Sequence, residues 1–225
     1  MITLHHLEYS QSFRILWLLE ELGVPYELKL YNRDPETNLA PPEYKAISPL
    51  GTAPVITHGD LALAESNAIM DYIMDQHPNP LVNPPPGSPH RARHLFWFHA
   101  SQGSLMSLGM IEMLFRVLEQ RVPWPVSKLL GAVFGKAREA FTAPRKALLL
   151  KKLEEDLGTA PWFGGDHVTT ADMTMSYPME ALRDRGELNA KDHPNAMAWF
   201  ERVEKLASYV SARKIDDRPT VAFAI

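Results

Sequence analysis

The spacing of apolar residues changes along this chain. Three short segments in the first part alternate apolar and polar side chains, at residues 26–30, 55–56 and 61–63. Such alternation predicts β-strands, and a turn at residues 58–60 joins the last two. Four later segments carry apolar residues at helical spacing, at residues 91–118, 126–157, 171–183 and 196–207. The pattern predicts a mixed first part and an all-helical second part.

A proline-rich stretch at residues 77–89 separates the two patterns. Neither a helix nor a strand continues easily through so many prolines. We therefore expect an α+β fold with a first domain at residues 1–80, a linker at residues 81–90 and a helical domain at residues 91–225. The end of the chain, from residue 213, has no clear period and is expected to cross another surface of the protein.

The composition narrows the classes of function. A chain of 225 residues with 45% hydrophobic content buries a substantial core. Its formal net charge of −4, without a long basic block, gives no support for nucleic acid or an acidic membrane as partner. No segment reaches the length of a membrane span, and no signal-like N-terminus is present, so we expect a cytoplasmic protein. There is no cysteine, so any sulfur chemistry uses a thiol of the ligand.

The first helix is predicted in detail. Its apolar face is formed by Ile15, Leu16, Leu18, Leu19 and Leu22. Either of two serines, at positions 10 and 12, can cap its start, and a glycine at position 23 ends it. The hydroxyls and free amides at this N-terminus are suited to an anion.

Pro54 stands directly before an apolar strand, where a proline removes a backbone donor from the sheet. We expect a cis bond there, in a turn that leaves neighbouring backbone groups for a ligand, although a trans proline at an edge strand is the simpler alternative. Glu65 and Ser66 open the next helix and offer a carboxylate, a hydroxyl and amides beside that turn; a plain helix start is the alternative. Together these residues indicate a site for a peptide ligand.

The motifs in this order resemble the glutathione transferase family. The resemblance rests on residues 10–23, on residues 48–56 around Pro54, on Glu65-Ser66, and on residues 169–172 in the second part. It implies a thioredoxin-like first domain with a mixed sheet, followed by an all-α domain. It also implies glutathione as co-substrate, a small hydrophobic electrophile bound between the two domains, and a homodimer.

The resemblance assigns roles to individual residues. It implies that the turn at Ala53, Pro54 and Val55 pairs with the cysteinyl part of glutathione, and that Glu65 and Ser66 hold its γ-glutamyl end. Lys45 is expected to reach the glycine carboxylate, with an ordinary surface lysine as the alternative.

Two adjacent hydroxyls, on Tyr9 and Ser10, compete to activate the bound thiol, and the resemblance favours Ser10, four residues before Arg14. Lowering a thiol pKa from about 8.5 by about two units requires roughly 2.7 kcal/mol. A hydroxyl hydrogen bond to a charged acceptor contributes about 1.5 to 3 kcal/mol, and a helix N-terminus about 0.3 to 1 kcal/mol. A hydroxyl therefore suffices, although a capping role for Ser10 is the structural alternative.

Met106, Met110 and Met113 lie at helical spacing and are predicted to line an adaptable electrophile pocket, with core packing as the alternative. Phe115 and Trp124 are weaker candidates. No metal is expected, because His5 and His6 point to opposite faces of a strand and His90, His94 and His99 lack an acidic cluster. Thr169 and Asp172 have the spacing of a capping box, a structural role.

The resulting prediction is a glutathione transferase that adds the glutathione thiolate to small hydrophobic electrophiles. Two alternatives stay open. One is a glutathione-dependent peroxidase, dehalogenase or isomerase on the same fold. The other is a binding module that keeps the fold without turnover.

Overall fold

A computed structural model describes residues 1–48 and 50–218 of the chain. Its four strands are β1 (Ile2–Leu7), β2 (Tyr26–Tyr31), β3 (Val55–His58) and β4 (Leu61–Ala64). The helices of the first part are α1 (Phe13–Leu22), α2 (Pro42–Lys45) and α3 (Ser66–Gln76). The second part contains α4 (Arg91–Ala100), α5 (Ser107–Arg121), α6 (Val126–Ala137), α7 (Ala143–Thr159), α8 (Thr170–Asp184), α9 (Pro194–Val203) and α10 (Ala207–Ile215).

The strands form one mixed sheet in the order β2-β1-β3-β4. β1 and β2 are parallel, while β3 pairs antiparallel with both β1 and β4. A two-residue turn at Gly59 and Asp60 closes the β3–β4 hairpin, and the positive φ of 59° at Gly59 suits a residue without a Cβ. The mixed sheet, the predicted hairpin and the all-helical second part are confirmed; a lone β-bridge between Trp162 and Gly165 is the exception to helix there.

α1 is more deeply buried than its sequence pattern predicts. Ile15, Leu16, Leu18 and Leu19 are buried as expected, but Trp17 on the same helix is also inaccessible. One side of α1 packs on the sheet, and the other packs against α8 and α10 of the second part. α1 therefore belongs to a hydrophobic core that continues through both parts of the chain. Gly23, with a φ of 61°, ends the helix in the left-handed conformation.

The helical part contains two interruptions that the sequence did not predict. π-helical turns at Ser101–Met106 and Arg138–Thr142 divide the two long predicted segments into α4 and α5 and into α6 and α7. The segment predicted as residues 196–207 is α9, which ends at Val203, and a further helix, α10, follows it.

The predicted capping box at the start of α8 is confirmed. The backbone N–H and the hydroxyl of Thr169 both donate to the Asp172 carboxylate at 2.9 Å. The same carboxylate accepts the backbone N–H of Phe163 at 2.8 Å and the indole N–H of Trp199 at 2.9 Å. Burial raises the pKa of Asp172 even though all these hydrogen bonds act to lower it. Asp172 thus joins the α8 N-terminus to α9 and to the preceding loop.

The described part of the C-terminal segment crosses the first domain, as expected. Asp216 and Arg218 reach His6 and Glu8 at the end of β1. The remainder of the predicted segment, residues 219–225, lies outside the described residues. Within residues 1–48 and 50–218, no helix combines the length and the apolar character needed to cross a membrane.

Candidate functional site

The register of the sheet gathers the predicted ligand-binding residues at one edge. Val55 at the start of β3 pairs with Ala64 at the end of β4, so Pro54 and Glu65 lie side by side just beyond the hairpin. Val55 also pairs with His5, so the last residues of β1 run past the start of β3 toward Ser10. The turn before β3, the start of α3 and the loop before α1 therefore meet at this edge.

Two backbone features mark this edge. The Ala53–Pro54 bond is cis, as predicted; a second cis bond, Trp124–Pro125, lies in the helical part. Glu65 has a φ of 76° and a ψ of 118°, an unfavourable conformation for a residue with a side chain. Glu65 is exposed, while Ser66 beside it is buried at the first position of α3. Strained residues of this kind concentrate at ligand sites, which supports the prediction for Glu65.

Ser10 lies in a buried network of hydroxyl groups. Its Oγ donates to the Leu7 carbonyl at 2.6 Å and lies 2.7 Å from Ser12 Oγ. Ser12 Oγ is in turn 3.0 Å from His6 Nδ1 and 3.1 Å from the Leu7 carbonyl oxygen. The other ring nitrogen of His6 lies 2.6 Å from Asp216 Oδ2. Burial acts to raise the pKa of Asp216, but hydrogen bonds from His6 and Arg218 outweigh it and lower the pKa to about 2.

The structure gives different roles to the two predicted caps of α1. Ser12 occupies the capping position but its side chain makes no capping hydrogen bond. Ser10 Oγ accepts the backbone N–H of Ser12 at 3.2 Å, one residue before the helix begins. The Ser10 hydroxyl therefore bonds to the loop before α1 and not to the first turn of the helix.

The backbone of Tyr9 adopts a left-handed conformation and accepts a hydrogen bond from a side chain. It has a φ of 49°, and Arg33 donates to its carbonyl oxygen at 3.1 Å. The guanidinium of Arg218 lies over the Tyr9 ring, 5.9 Å from the ring centroid. Tyr9 and Ser10 therefore point into different environments, and only Ser10 joins the hydroxyl network.

Sequence reasoning missed two glutamines that connect the domains at this edge. Gln102 Nε2 donates to Gln11 Oε1 at 2.7 Å, and Ser66 Oγ lies 3.4 Å from the same oxygen. Gln102 lies in the first π-helical turn, a distortion that is frequent at functional sites. Gln11 is adjacent to the predicted serine and could have been noticed for that reason; Gln102 has no comparable signal in the sequence.

Lys45 lies beside the loop that leads to the proline turn. Its Cγ is 3.5 Å from the position that a Cβ on Gly51 would occupy, and the residue is exposed. A cation on this side of the turn is consistent with the predicted contact to a carboxylate.

The three predicted methionines line one cavity of about 340 Å³. Its walls come from α5, α7 and α8 and from the turns at their ends, and Met106, Met110 and Met113 contribute to one side. Tyr177, Pro178 and other residues of α8 form the opposite side, and charged side chains stand at the rim: Glu112, Arg116, Lys146, Asp184, Arg185 and Glu187. The lining residues all come from the helical part, so this cavity by itself is not a cleft between domains.

Tyr177 connects this cavity to α1. The guanidinium of Arg14 lies over the Tyr177 ring, 5.4 Å from its centroid. Arg14 is fully buried, and its side-chain nitrogens have no hydrogen-bond partner among the described residues. Burial lowers the pKa of Arg14 to about 9, against the opposing influence of Tyr177 and Glu180. A buried cation of α1, four residues after Ser10, therefore contacts the cavity wall.

Hydroxyl or carboxylate groups of the protein contact His5, His6 and His94. His5 contacts Tyr31 Oη and Thr57 Oγ1, each at 3.0 Å, on the face of the sheet opposite to the contacts of His6. His94 Nε2 lies 2.9 Å from Thr170 Oγ1. Over the described ranges, no three acidic or histidine side chains come together as a metal site.

Comparison with known proteins identifies the class to which this fold and site belong. The sequence matches the N-terminal domain of glutathione S-transferases over residues 10–76 and their C-terminal domain over residues 126–207. Glutathione S-transferase 3 of Schizosaccharomyces pombe is 31% identical, with 100% of this chain and 92% of that protein aligned. Glutathione S-transferase 1 of Saccharomyces cerevisiae is 28% identical over 95% of this chain and 94% of its own length.

A solved structure gives the same result. The crystal structure of a glutathione S-transferase from Actinobacillus pleuropneumoniae superposes with a TM-score of 0.75 at 32% identity, covering 98% of this chain and 94% of that one. The chain belongs to the glutathione S-transferase family.

Proposed function

We propose that this protein binds glutathione at the sheet edge and transfers its thiolate to small hydrophobic electrophiles. The observation that carries the proposal is the meeting, at one edge, of the proline turn, the strained Glu65 and the buried Ser10 hydroxyl. Each provides a group that a tripeptide thiol requires: backbone partners, a carboxylate for the ammonium group, and a donor for sulfur.

In this proposal, Ala53, Pro54 and Val55 present their backbone to the cysteinyl part of glutathione. Glu65 and Ser66 hold the γ-glutamyl end, because a carboxylate and helix N-terminal amides complement an amino acid group. Lys45 neutralises the glycine carboxylate. Binding replaces the weak 3.4 Å contact between Ser66 and Gln11 with contacts to the ligand.

Ser10 is the residue that we propose to activate the thiol. Its hydroxyl turns from the Leu7 carbonyl toward the sulfur and donates to the thiolate. A hydrogen bond to a charged acceptor is worth about 1.5 to 3 kcal/mol, enough to lower a thiol pKa by about one to two units. Tyr9 is the alternative donor, and it requires a different side-chain orientation.

The electrophile is proposed to bind against Met106, Met110 and Met113. The cavity that they line has the volume of a small-ligand site and combines flexible apolar side chains with a charged rim. Tyr177 of this wall contacts Arg14 of α1, so the cavity lies on the side of α1 that faces the helical domain.

Calorimetry with glutathione, followed by turnover with a chloronitrobenzene, tests this function. We expect saturable binding, conjugate formation and thiolate absorbance in the bound state. The analogue γ-glutamyl-seryl-glycine is the matched control, because it keeps every proposed contact except the sulfur. Failure of glutathione to bind would support the binding-module alternative, and turnover of hydroperoxides, haloalkanes or isomerisable substrates alone would support the alternative chemistries.

The proposal also covers the localisation, the oligomeric state, the partners and the domain boundaries of the protein. We propose a cytoplasmic homodimer that requires no metal and does not bind nucleic acid or membrane. We propose a glutathione-binding domain at residues 1–80, a linker at residues 81–90 and an electrophile-binding domain from residue 91 onward. The measurements that test these points are the oligomeric state in solution and the activity of the metal-free protein.

A further inference from the structure

An unbroken chain of buried side chains connects Ser10 with the C-terminal segment. Successive contacts join Ser10 Oγ to Ser12 Oγ at 2.7 Å, Ser12 Oγ to His6 Nδ1 at 3.0 Å, and His6 Nε2 to Asp216 Oδ2 at 2.6 Å. All four side chains are buried. The chain ends on a carboxylate more than two hundred residues away in sequence from the serine where it begins.

The arrangement has the parts of a proton relay. Imidazole is the side chain that gains and loses a proton near neutral pH, and a carboxylate on one ring nitrogen orients the ring and compensates the imidazolium charge. Hydroxyl groups accept one proton while donating another, so two serines in contact can carry a proton between sites that do not touch.

We propose that His6, backed by Asp216, takes up the proton of the glutathione thiol through Ser12 and Ser10. This inference rests on the proposed glutathione transfer at Ser10. It makes His6 a positioning residue with a proton-accepting role, because it reaches the sulfur only through the two serines.

The transfer moves one proton at each contact of the chain. The S–H bond breaks and its proton passes to Ser10 Oγ; the Ser10 proton passes to Ser12 Oγ, and the Ser12 proton to Nδ1 of His6. The products are a thiolate that accepts a hydrogen bond from Ser10 and an imidazolium paired with Asp216. When the thiolate displaces an anion from the electrophile, that proton leaves with the anion and His6 becomes neutral again.

The resting arrangement is compatible with this path. In a neutral His6 with the proton on Nε2, the ring donates to Asp216 and accepts the Ser12 hydroxyl at Nδ1. The Leu7 carbonyl lies 2.6 Å from Ser10 Oγ and 3.1 Å from Ser12 Oγ, so it accepts a hydroxyl proton when no thiol is present. Glutathione binding then has to rotate the Ser10 hydroxyl from the Leu7 carbonyl toward Ser12 Oγ, which leaves the Ser10 oxygen to accept the thiol proton.

The charged groups near His6 lie on the C-terminal segment and at the end of β1. Asp216 contacts its ring, and Arg218 holds the other oxygen of that carboxylate at 2.6 Å. Glu8, at the end of β1, pairs with Arg218 at 2.7 Å. From β2, the residue in register with His6 is the apolar Leu30, and from the start of α1 it is Ser12 that contacts the ring. Asp216 is therefore the charged side chain in direct contact with the His6 ring.

The pH dependence of the conjugation rate in the His6→Gln variant tests the relay. Glutamine keeps hydrogen bonds to Ser12 and Asp216 but accepts no proton, so kcat/KM near pH 7 should fall on the order of 10²-fold, a typical general-base effect. The loss should shrink as the pH passes about 8.5, where a thiol ionises in water without help. Ser12→Ala, which interrupts the chain and leaves the His6–Asp216 pair in place, should give the same pH-dependent loss even if His6→Gln folds poorly.

His5→Gln is the matched control. His5 is the neighbouring histidine, on the other face of β1, with contacts to Tyr31 and Thr57. Its replacement should leave the shape of the pH profile unchanged. A loss of the same factor at every pH in His6→Gln and Ser12→Ala would indicate a merely structural role and overturn the relay.

Proton counting gives a second, independent readout. Calorimetry of glutathione binding in buffers of different ionisation enthalpy measures protons released, while thiolate absorbance measures ionised thiol. In the wild type near pH 7 we expect thiolate with almost no proton release, because His6 retains the proton. Release of one proton for each thiolate would refute the relay while leaving conjugation intact; absence of both binding and conjugation would refute the proposed function instead.

Discussion

The side-chain amide of Gln102 donates to the side-chain oxygen of Gln11 at 2.7 Å, which links the π-helical turn of the helical part to the loop that carries Ser10. The two residues are 91 positions apart. The loop before α1 is thus positioned by the second domain as well as by the sheet.

Gln102→Ala removes this link and is expected to weaken glutathione binding about 3- to 10-fold, which corresponds to about 0.7 to 1.4 kcal/mol for one neutral hydrogen bond. The dissociation constant from calorimetry is the measurement. Gln120→Ala, on an exposed position of α5, is the control and should bind as the wild type does. Unchanged affinity in Gln102→Ala would mean that the link does not position the loop.

Ser10→Ala should keep the dissociation constant for glutathione within a few-fold and lower kcat about 100-fold or more near pH 7, because the variant loses the hydrogen bond to the thiolate and also interrupts the relay to His6. Steady-state kinetics with a chloronitrobenzene measures the effect. Ser127→Ala in α6 is the serine control. If Tyr9→Phe loses turnover and Ser10→Ala does not, the activating hydroxyl belongs to Tyr9.

Met113→Trp fills part of the 340 Å³ cavity and should lower kcat/KM for bulky electrophiles about 10-fold while leaving glutathione affinity unchanged. The reason is that the larger ring occupies space in the proposed electrophile site without reaching the sheet edge. Ile111→Trp is the control, because Ile111 is exposed on the same helix and does not line the cavity. Equal kinetics for both variants would place the electrophile elsewhere.

Asp172→Ala is expected to destabilise the fold by about 3 to 5 kcal/mol, because it leaves the buried donors of Trp199 and Phe163 without an acceptor and removes the capping box of α8. Chemical denaturation measures the free energy of unfolding. Asp75→Ala, at an exposed position of α3, should change it by less than about 0.5 kcal/mol. A wild-type-like stability of Asp172→Ala would remove the structural role assigned to this carboxylate.

Asp216→Asn should lower the free energy of unfolding at neutral pH by about 1 to 2 kcal/mol, since Arg218 is partly exposed and solvent reduces the full effect of the pKa shift. The pKa of Asp216 is lower in the folded protein than in the unfolded chain. Its stabilisation is therefore present above about pH 4 and is lost as the pH falls toward about 2. The free energies of unfolding of wild type and variant, measured by denaturation between these pH values, should therefore converge as the pH falls. The neighbouring Asp217→Asn, exposed, should not show this convergence.

Local sequence patterns predicted many features of the fold and of the candidate site. The alternation at residues 26–30 predicted β2, and Gly23 marked the end of α1, because side-chain periodicity and backbone freedom act over a few residues. The cis bond before Val55 and the capping box of Thr169 and Asp172 were predicted for the same reason, with support from the family resemblance. The apolar spacing of the methionines predicted a shared face, and the three line one cavity.

The sequence by itself determined the two-part architecture, the turn before β3 and the hydroxyl at the start of α1. The tertiary structure decided which groups surround that hydroxyl: His6 and Ser12 from one side, Asp216 from the far end of the chain, and Gln102 beyond Gln11. No pattern in the sequence near Asp216 or Gln102 predicts these partners. Contacts between residues so far apart in sequence arise from the packing of whole helices and strands. The same packing buries Arg14 and all sides of α1, where periodicity alone predicted a single apolar face.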